Sequence, residues 1–226
     1  LGELAYEKND LVMAVLYLEK GIEMTRVGQM QYFTAWGRVL LAQTQLALQQ
    51  DVSLSAKDEA DLIAYAGRFL VEIPPLSAAL AQLWLNQGRT NAFQQWLRNA
   101  QLPTKSSLTL ERGPEYLVLS RYLMLEQRYN EALELLEQLW GYAQEQQQRR
   151  MMVEICILKA VTYLHEHQDH KALAALQHAL ICAHDSHFIR LFCQENVAIH
   201  GLLQQLAPVM PHHPLLQHLI RAMGDT

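Results

Sequence analysis

The segment HEHQDH places three potential metal ligands, His165, His167 and His170, within six residues. Imidazole nitrogens bind zinc well, but stable zinc sites need a fixed ligand spacing on ordered backbone. These histidines straddle a predicted helix end and turn, and no Cys/His pattern of zinc spacing accompanies them. We therefore interpret them as solvated turn histidines and expect no metal site.

The sequence offers no arrangement for catalysis. It contains neither a serine-centred nucleophile elbow nor a GxxxxGK[ST] phosphate-binding loop, and its carboxylates are dispersed over helix faces. The cysteines Cys156, Cys182 and Cys193 lie in apolar helical contexts without a CxxC pair, which is typical of reduced, buried thiols in a cytosolic protein. We expect no enzyme activity and no cofactor in this chain.

The elements that would position a binding site are helices with a recurring stripe. In RYNEALELLEQLW, Ala132 is followed at +4 and +7 by Leu136 and Leu139, which places all three on one helix face. A small residue in such a stripe indicates the close approach of another helix. The same spacing begins at five alanines, the last three of which are 40 residues apart: Ala14, Ala60, Ala92, Ala132 and Ala172.

This period predicts an all-α fold, a superhelical array of antiparallel helix pairs with a helical C-terminal cap. We predict five pairs over residues 1–184 and a cap over 185–226, in one continuous domain. The chain opens inside a repeat, so we expect a fragment of a longer protein. Helices are predicted over residues 1–8, 11–27, 29–49, 56–71, 76–87, 91–100, 115–126, 130–148, 151–166, 170–184, 194–206 and 215–223.

Charge and hydropathy restrict the partners. The formal net charge is −5 and the pI is about 6.1, whereas a duplex-binding domain usually carries a basic stripe. No apolar run approaches the ~20 residues that a membrane-spanning helix needs. We therefore expect a cytoplasmic protein that makes no direct contact with DNA or membrane.

The stripe resembles the tetratricopeptide repeat, in which a Gly precedes the Ala by twelve residues, as Gly2 precedes Ala14, although the period here is 40 residues rather than 34. Four stretches resemble, in their order, the sensor domain of the large ATP-dependent LuxR-type (MalT-like) bacterial transcriptional regulators. They are LGELAYEKNDLVMAVLYLEKGIEM, ALAQLWLNQGRTNAFQQWL, EYLVLSRYLMLEQRYNEALELLEQL and FIRLFCQEN. In the last stretch, Gln194, Glu195 and Asn196 stand where the family usually reads Asp-Glu-Gly.

The resemblance implies that the first helix of each pair lines a concave groove. Aromatic rings beside charged groups suit a sugar-like or other small polar ligand, and they suit a peptide equally well. Aromatic residues at helical spacing are about as often core residues, so both interpretations stay open. Trp84 and Arg121 are predicted to face the same surface. The candidate ligand-binding residues are Tyr6, Trp36, Trp84, Arg121, Glu154 and His165, with Glu3 and Tyr32 as neighbours on first helices.

The function that the resemblance implies is signal sensing. The chain would bind a small-molecule inducer or a regulatory protein, and its free and bound states would bias self-association and DNA binding elsewhere in the full protein. ATP would bind to an N-terminal domain outside this chain, and a helix-turn-helix would follow it. The alternative is a general tetratricopeptide scaffold for protein–protein interaction, without a small-molecule ligand.

Overall fold

The computed structural model describes residues 1–52, 54–68, 74–102, 110–183 and 188–224. Within these ranges the chain forms thirteen α-helices, one short 3-10 helix at Leu110–Arg112 and no β-strand, which confirms the predicted all-α array of helix pairs. None of the described helices is long and apolar enough to cross a membrane. The α-helices are α1 Gly2–Glu7, α2 Leu11–Val27, α3 Gln31–Ala47, α4 Ala56–Arg68, α5 Pro74–Asn86, α6 Thr90–Ala100, α7 Gly113–Leu125, α8 Tyr129–Glu145, α9 Arg149–His165, α10 Asp169–Ala183, α11 Ile189–Gln194, α12 Asn196–Leu206 and α13 Pro214–Gly224.

Seven turns between consecutive helices share one backbone conformation. Each has a residue in the left-handed region, and the amide of the next residue donates to a carbonyl five residues back, as Arg128 does to Leu123 at 2.8 Å. This bond closes a Schellman motif, which satisfies a carbonyl at the helix end and reverses the chain. The left-handed residues are Asn9 (φ 61°), Gln29 (56°), Gln49 (56°), Gly88 (67°), Gln127 (59°), Gln147 (52°) and His167 (57°).

The spacing of these turns explains the long repeat. Asn9, Gln29 and Gln49 are 20 residues apart, and so are Gln127, Gln147 and His167. Each interval holds one helix of 17 residues and its turn. Two such intervals make the 40-residue pair that the sequence predicts.

The described helices group into two compact units, Leu1–Ser107 and Leu108–Thr226. In the first unit α1, α2 and α3 pack consecutively, and α3 also packs on α5. Close approach is visible at Gly2, where an added Cβ would lie 2.6 Å from Cγ of Leu18. At Gly37 the corresponding distance to Cγ1 of Ile22 is 2.9 Å. Glycine at these two positions permits the helix crossings.

In the second unit α7, α8, α9 and α10 pack consecutively, and the first helices α7, α9 and α11 also contact one another in that order. A continuous core runs from α9 to α13 and includes Ile157, Leu176, Phe192 and Leu216, each at most 1% exposed. The division into five repeats over 1–184 and a cap over 185–226 stays a prediction.

Two of the five repeat alanines do not lie at buried helix crossings. Ala14, Ala132 and Ala172 are fully buried, but Ala60 is exposed and Ala92 is only half-buried. In α6 the position five residues after the left-handed turn residue, which Ala132 occupies in α8, belongs to the fully buried Phe93. Phe93 and Ala132 are 39 residues apart, so counting back 40 residues from Ala132 gave Ala92 instead of Phe93. Helix α5, which packs against α6, supplies the small buried residues instead: Ser77, Ala78 and Ala81.

The helix boundaries agree closely with the sequence, with one informative difference. The predicted helix 11–27 coincides with α2, and α5 begins at Pro74, where a missing amide proton costs nothing. The predicted helix 194–206 corresponds to α12, Asn196–Leu206, whereas α11, Ile189–Gln194, was not predicted; Glu195 separates the two helices with φ −105° and ψ 23°.

Candidate functional site

The six predicted wall residues fall into both units. Tyr6, Trp36 and Trp84 belong to the first unit, whereas Arg121, Glu154 and His165 belong to the second. The hypothesis that Trp84 and Arg121 hold one ligand together stays a prediction.

In the first unit, two of the three aromatic residues are core residues. Tyr6 is 5% exposed and packs with Ala14 and Leu18. Trp84 is 4% exposed, and its indole nitrogen donates to Oε1 of Glu59 on α4. Neither ring offers an open face for stacking in this conformation. Trp36, on α3, is half-buried and keeps part of its surface accessible.

In the second unit, Arg121 and Glu154 form a direct ion pair. Nη1 of Arg121 on α7 donates to Oε1 of Glu154 on α9 at 2.8 Å, and only 12% and 10% of these side chains are exposed. Nη1 of Arg150, one turn earlier on α9, donates to Oε2 of Glu154 at 3.0 Å. Nε of Arg121 donates to Oε1 of Glu195 at 3.4 Å. We call these four residues the charged wall.

The elements place these side chains for identifiable reasons. Arg150 and Glu154 are four residues apart on one helix, so they lie on the same face. Arg121 reaches them because α7 packs beside α9, where Gly113 lies against Met151. Glu195 reaches Arg121 because the chain breaks between α11 and α12. The charged wall thus connects the first helices α7 and α9 with the end of α11.

The charges determine the protonation of the pair. Burial would raise the pKa of Glu154, but the guanidinium groups of Arg121 and Arg150 outweigh it and hold that pKa below its usual 4.5. Burial would lower the pKa of Arg121, but Glu154 and Glu195 outweigh it and raise that pKa. Arg121 and Glu154 are therefore both charged at neutral pH.

His165 does not join the charged wall. It is exposed near the end of α9 and lies roughly 16 Å along the helix axis from Glu154, at 1.5 Å per residue. Its ring stacks on Tyr129 of α8, with centroids 5.5 Å apart and planes 6° apart. His165 and Tyr129 form a small separate aromatic surface near the turns of the second unit.

The sequence analysis named Arg121 and Glu154, which the structure brings into contact, but it did not name Arg150 and Glu195 as candidates. The spacing of Arg150 and Glu154 could have indicated an ion pair on one helix face. Glu195 lies in the FIRLFCQEN stretch, and its partner Arg121 is 74 residues away in sequence, so no local pattern identifies that contact.

Metal binding and thiol reactivity can be assessed for the described residues. No three His, Cys, Asp or Glu side chains among them lie close enough to hold a metal ion. Cys156, Cys182 and Cys193 are free thiols, and burial raises the pKa of Cys156 to about 12. A thiol with such a pKa stays protonated at neutral pH and is a poor nucleophile. The charged wall can instead bind polar groups through charge-assisted hydrogen bonds.

Consecutive helix pairs of similar length, joined by turns of one conformation and packed through small buried residues, are typical of a tetratricopeptide-like repeat protein. The family model described as the MalT-like TPR region matches residues 1–208, so the chain belongs to that family. This confirms the resemblance drawn from the four sequence stretches. No curated protein and no solved structure matches the chain.

Proposed function

We propose that this chain is the signal-sensing region of a bacterial transcriptional activator of the LuxR/MalT type, and that the charged wall is its effector-binding surface. Family membership supports the regulatory context. The observation that carries the proposed site is the bridge of Arg121 to Glu154 and Glu195, which connects α7, α9 and the α11–α12 break. The role requires binding and no catalysis.

The charged wall suggests how binding would be transmitted. The contact of Arg121 with Glu195 is the longest of the three ion pairs described within the charged wall. Half of the Arg150 side chain is exposed. A ligand with hydroxyl or carboxylate oxygens could replace Glu195 on Arg121 and also contact Arg150. Releasing Glu195 would favour a different position of the C-terminal helices. A ligand shifts such an equilibrium only by its differential affinity for the two states.

The remaining parts of the proposal concern the full protein. The bound state would bias self-association, and DNA binding would reside outside this chain. ATP would likewise bind to a preceding domain. The protein would act in the cytoplasm, where bacterial regulators meet the chromosome.

A general interaction scaffold without a small ligand is the second candidate function. Exposed apolar side chains of the second unit favour it, since Leu125 at the end of α7 is 67% exposed and Ile181 on α10 is 54% exposed. Exposed apolar surface of this kind suits a peptide more than a sugar.

The two candidates can be separated by titration calorimetry with a panel of small oligosaccharides and a panel of acidic peptides. Arg121→Gln should weaken binding of the effective ligand at least about tenfold, since one charge-assisted hydrogen bond is lost. Arg128→Gln is the matched control, because Arg128 is an exposed arginine that pairs with Glu131 in the α7–α8 turn. Unchanged affinity in Arg121→Gln would place the effector site elsewhere.

A further inference from the structure

In helix α4 of the first unit, the described side chains from Lys57 to Ala64 make several polar contacts with other elements. Among its side chains from Lys57 to Ala64, only Leu62 is buried, at 3% exposure. By contrast, α3 contributes eight buried residues to the same unit. Within this described part of α4, the polar side chains of the first turn and Leu62 provide the attachment.

That first turn carries two adjacent carboxylates with well-defined partners. Oδ1 of Asp58 accepts from Nη1 of Arg38 on α3 at 2.8 Å. Oε1 of Glu59 is 2.8 Å from Nη1 of Arg89, which precedes α6, and it also accepts from the indole nitrogen of Trp84 on α5. Two carboxylates thus connect α4 to three other elements.

The receiving surface has a defined chemistry. Arg38, Trp84 and Arg89 present two guanidinium groups and one indole N–H from three separate elements. Glu59 is only 13% exposed, so its position is shielded, whereas Asp58 is 32% exposed. We call Arg38, Trp84 and Arg89 the donor surface.

We propose that the donor surface is an interaction site for an acidic amphipathic helix, and that α4 is its resident, exchangeable occupant. The partner segment carries two adjacent carboxylates followed by a leucine, in the pattern Asp-Glu-x-x-Leu that α4 itself presents from Asp58 to Leu62. The carboxylates bind the guanidinium groups and the indole N–H, and the leucine fills the position of Leu62. This inference goes beyond the effector site on the charged wall, because it concerns the other unit.

The partial exposure of the Arg38–Asp58 pair makes exchange feasible. Partly exposed ion pairs are weak in water, since the side chains lose freedom and salt screens the charges. A tethered helix competes at an effective concentration on the order of millimolar, so a partner must bind more tightly than α4 alone. A partner gains that advantage through a second apolar contact or a further carboxylate near Arg38, whose side chain is 34% exposed.

Hydrogen exchange on the whole chain tests the attachment of α4. The double substitution Asp58→Asn with Glu59→Gln should accelerate exchange of α4 amides about tenfold or more, while α9 and α10 stay protected. Asp61→Asn is the matched control, because Asp61 is an exposed carboxylate on the same helix. About 1 M NaCl should act on the natural sequence as the substitutions do. Exchange in α4 that neither the double substitution nor salt accelerates would overturn the proposal.

Peptide binding tests the partner class. A labelled peptide of residues 55–68, SAKDEADLIAYAGR, should bind to the doubly substituted chain, in which its own α4 competes poorly. The same peptide with Asn and Gln at the two carboxylate positions should bind at least about tenfold more weakly. Fluorescence anisotropy measures both affinities. Equal binding of the two peptides, or none of either, would contradict recognition through the carboxylates.

Discussion

Glu154 shows how a charged residue is accommodated in a mostly buried position. It accepts hydrogen bonds from Arg121 and Arg150, one on each carboxylate oxygen. Removing a carboxylate from water is costly, and only good geometry with charged partners offsets that cost. Its depressed pKa shows that here the two guanidinium groups more than offset the effect of burial.

The depressed pKa of Glu154 predicts a pH-dependent contribution to stability. Its ionised form stabilises the fold fully above the unfolded-state pKa near 4.5, and that contribution is lost as pH falls through the lower folded-state value. Glu154→Gln should therefore reduce the free energy of unfolding by about 1–3 kcal/mol at pH 7 and by less at pH 3. Urea denaturation at both pH values measures this difference. The exposed Glu145→Gln should show little effect at either pH, and a Glu154→Gln cost that does not fall with pH would exclude the ion pairs as its source.

At the residue scale, sequence predicted only part of the site. Counting from the repeat alanines placed Arg121 and Glu154 on first helices, because helical periodicity fixes which residues share a face. The same reasoning assigned Trp84 to an open wall, but its ring is buried and bonded to Glu59. The surroundings of Trp84 include α4, through Glu59. The periodic pattern of α5 carries no information about how α4 packs against it.

The left-handed turns control how the helices connect. Residues with side chains seldom adopt this conformation, which costs roughly 1–2 kcal/mol outside glycine. Six of the seven Schellman turns use Asn, Gln or His, and Gly88 occupies the seventh. The turn hydrogen bonds are short, at 2.8–2.9 Å, which indicates that each turn is well formed despite this cost.

Gly88 and Gly141 allow a matched test of backbone conformation. An added Cβ meets nothing within 4 Å at either position, so packing does not distinguish them. Gly88→Ala should destabilise by about 1 kcal/mol, because φ is +67° there. Gly141 lies inside α8, where alanine is a better helix former than glycine. Gly141→Ala should therefore stabilise the fold by about 0.5–1 kcal/mol. Thermal melts compare the two, and shifts of the same sign would be inconsistent with the assigned turn.

Ala132 and Ala60 allow a corresponding test of the helix crossings. Ala132 is fully buried in α8, so Ala132→Leu should overpack the crossing and cost about 1–3 kcal/mol. Ala60 is exposed on α4, so Ala60→Leu should change stability by less than about 0.5 kcal/mol. Chemical denaturation measures both variants. Equal costs would mean that the buried stripe is wrongly assigned.

At the element scale, the sequence predicted the helices well because their periodicity is strong and their turns are short. The helix 11–27 was predicted to the residue. The error at Ala92 arose because one pair is a residue shorter than the assumed period, which moves the buried stripe to Phe93. Helix α11 was not predicted because its six residues are too few to show a helical period.

For the molecule as a whole, the charge distribution predicts the absence of specific duplex binding. A net charge of −5 gives no basic stripe for phosphates, whose neutralisation supplies most of the affinity for DNA. A mobility-shift assay at about 150 mM salt should therefore detect no submicromolar, sequence-specific complex. Detection of such a complex would remove the assignment of DNA binding to another part of the full protein.

The contact between Arg121 and Glu195 has a further consequence, for the order of folding. It joins residues 74 apart, whereas the helices from α7 to α10 meet through turns of a few residues. Contacts between neighbours in sequence form early, because little chain entropy is lost in closing short loops. The bond to Glu195 is therefore expected to form after the rate-limiting step, and such interactions slow unfolding without accelerating folding. Its main effect would be on lifetime: it would determine how long the C-terminal helices stay docked once they have folded.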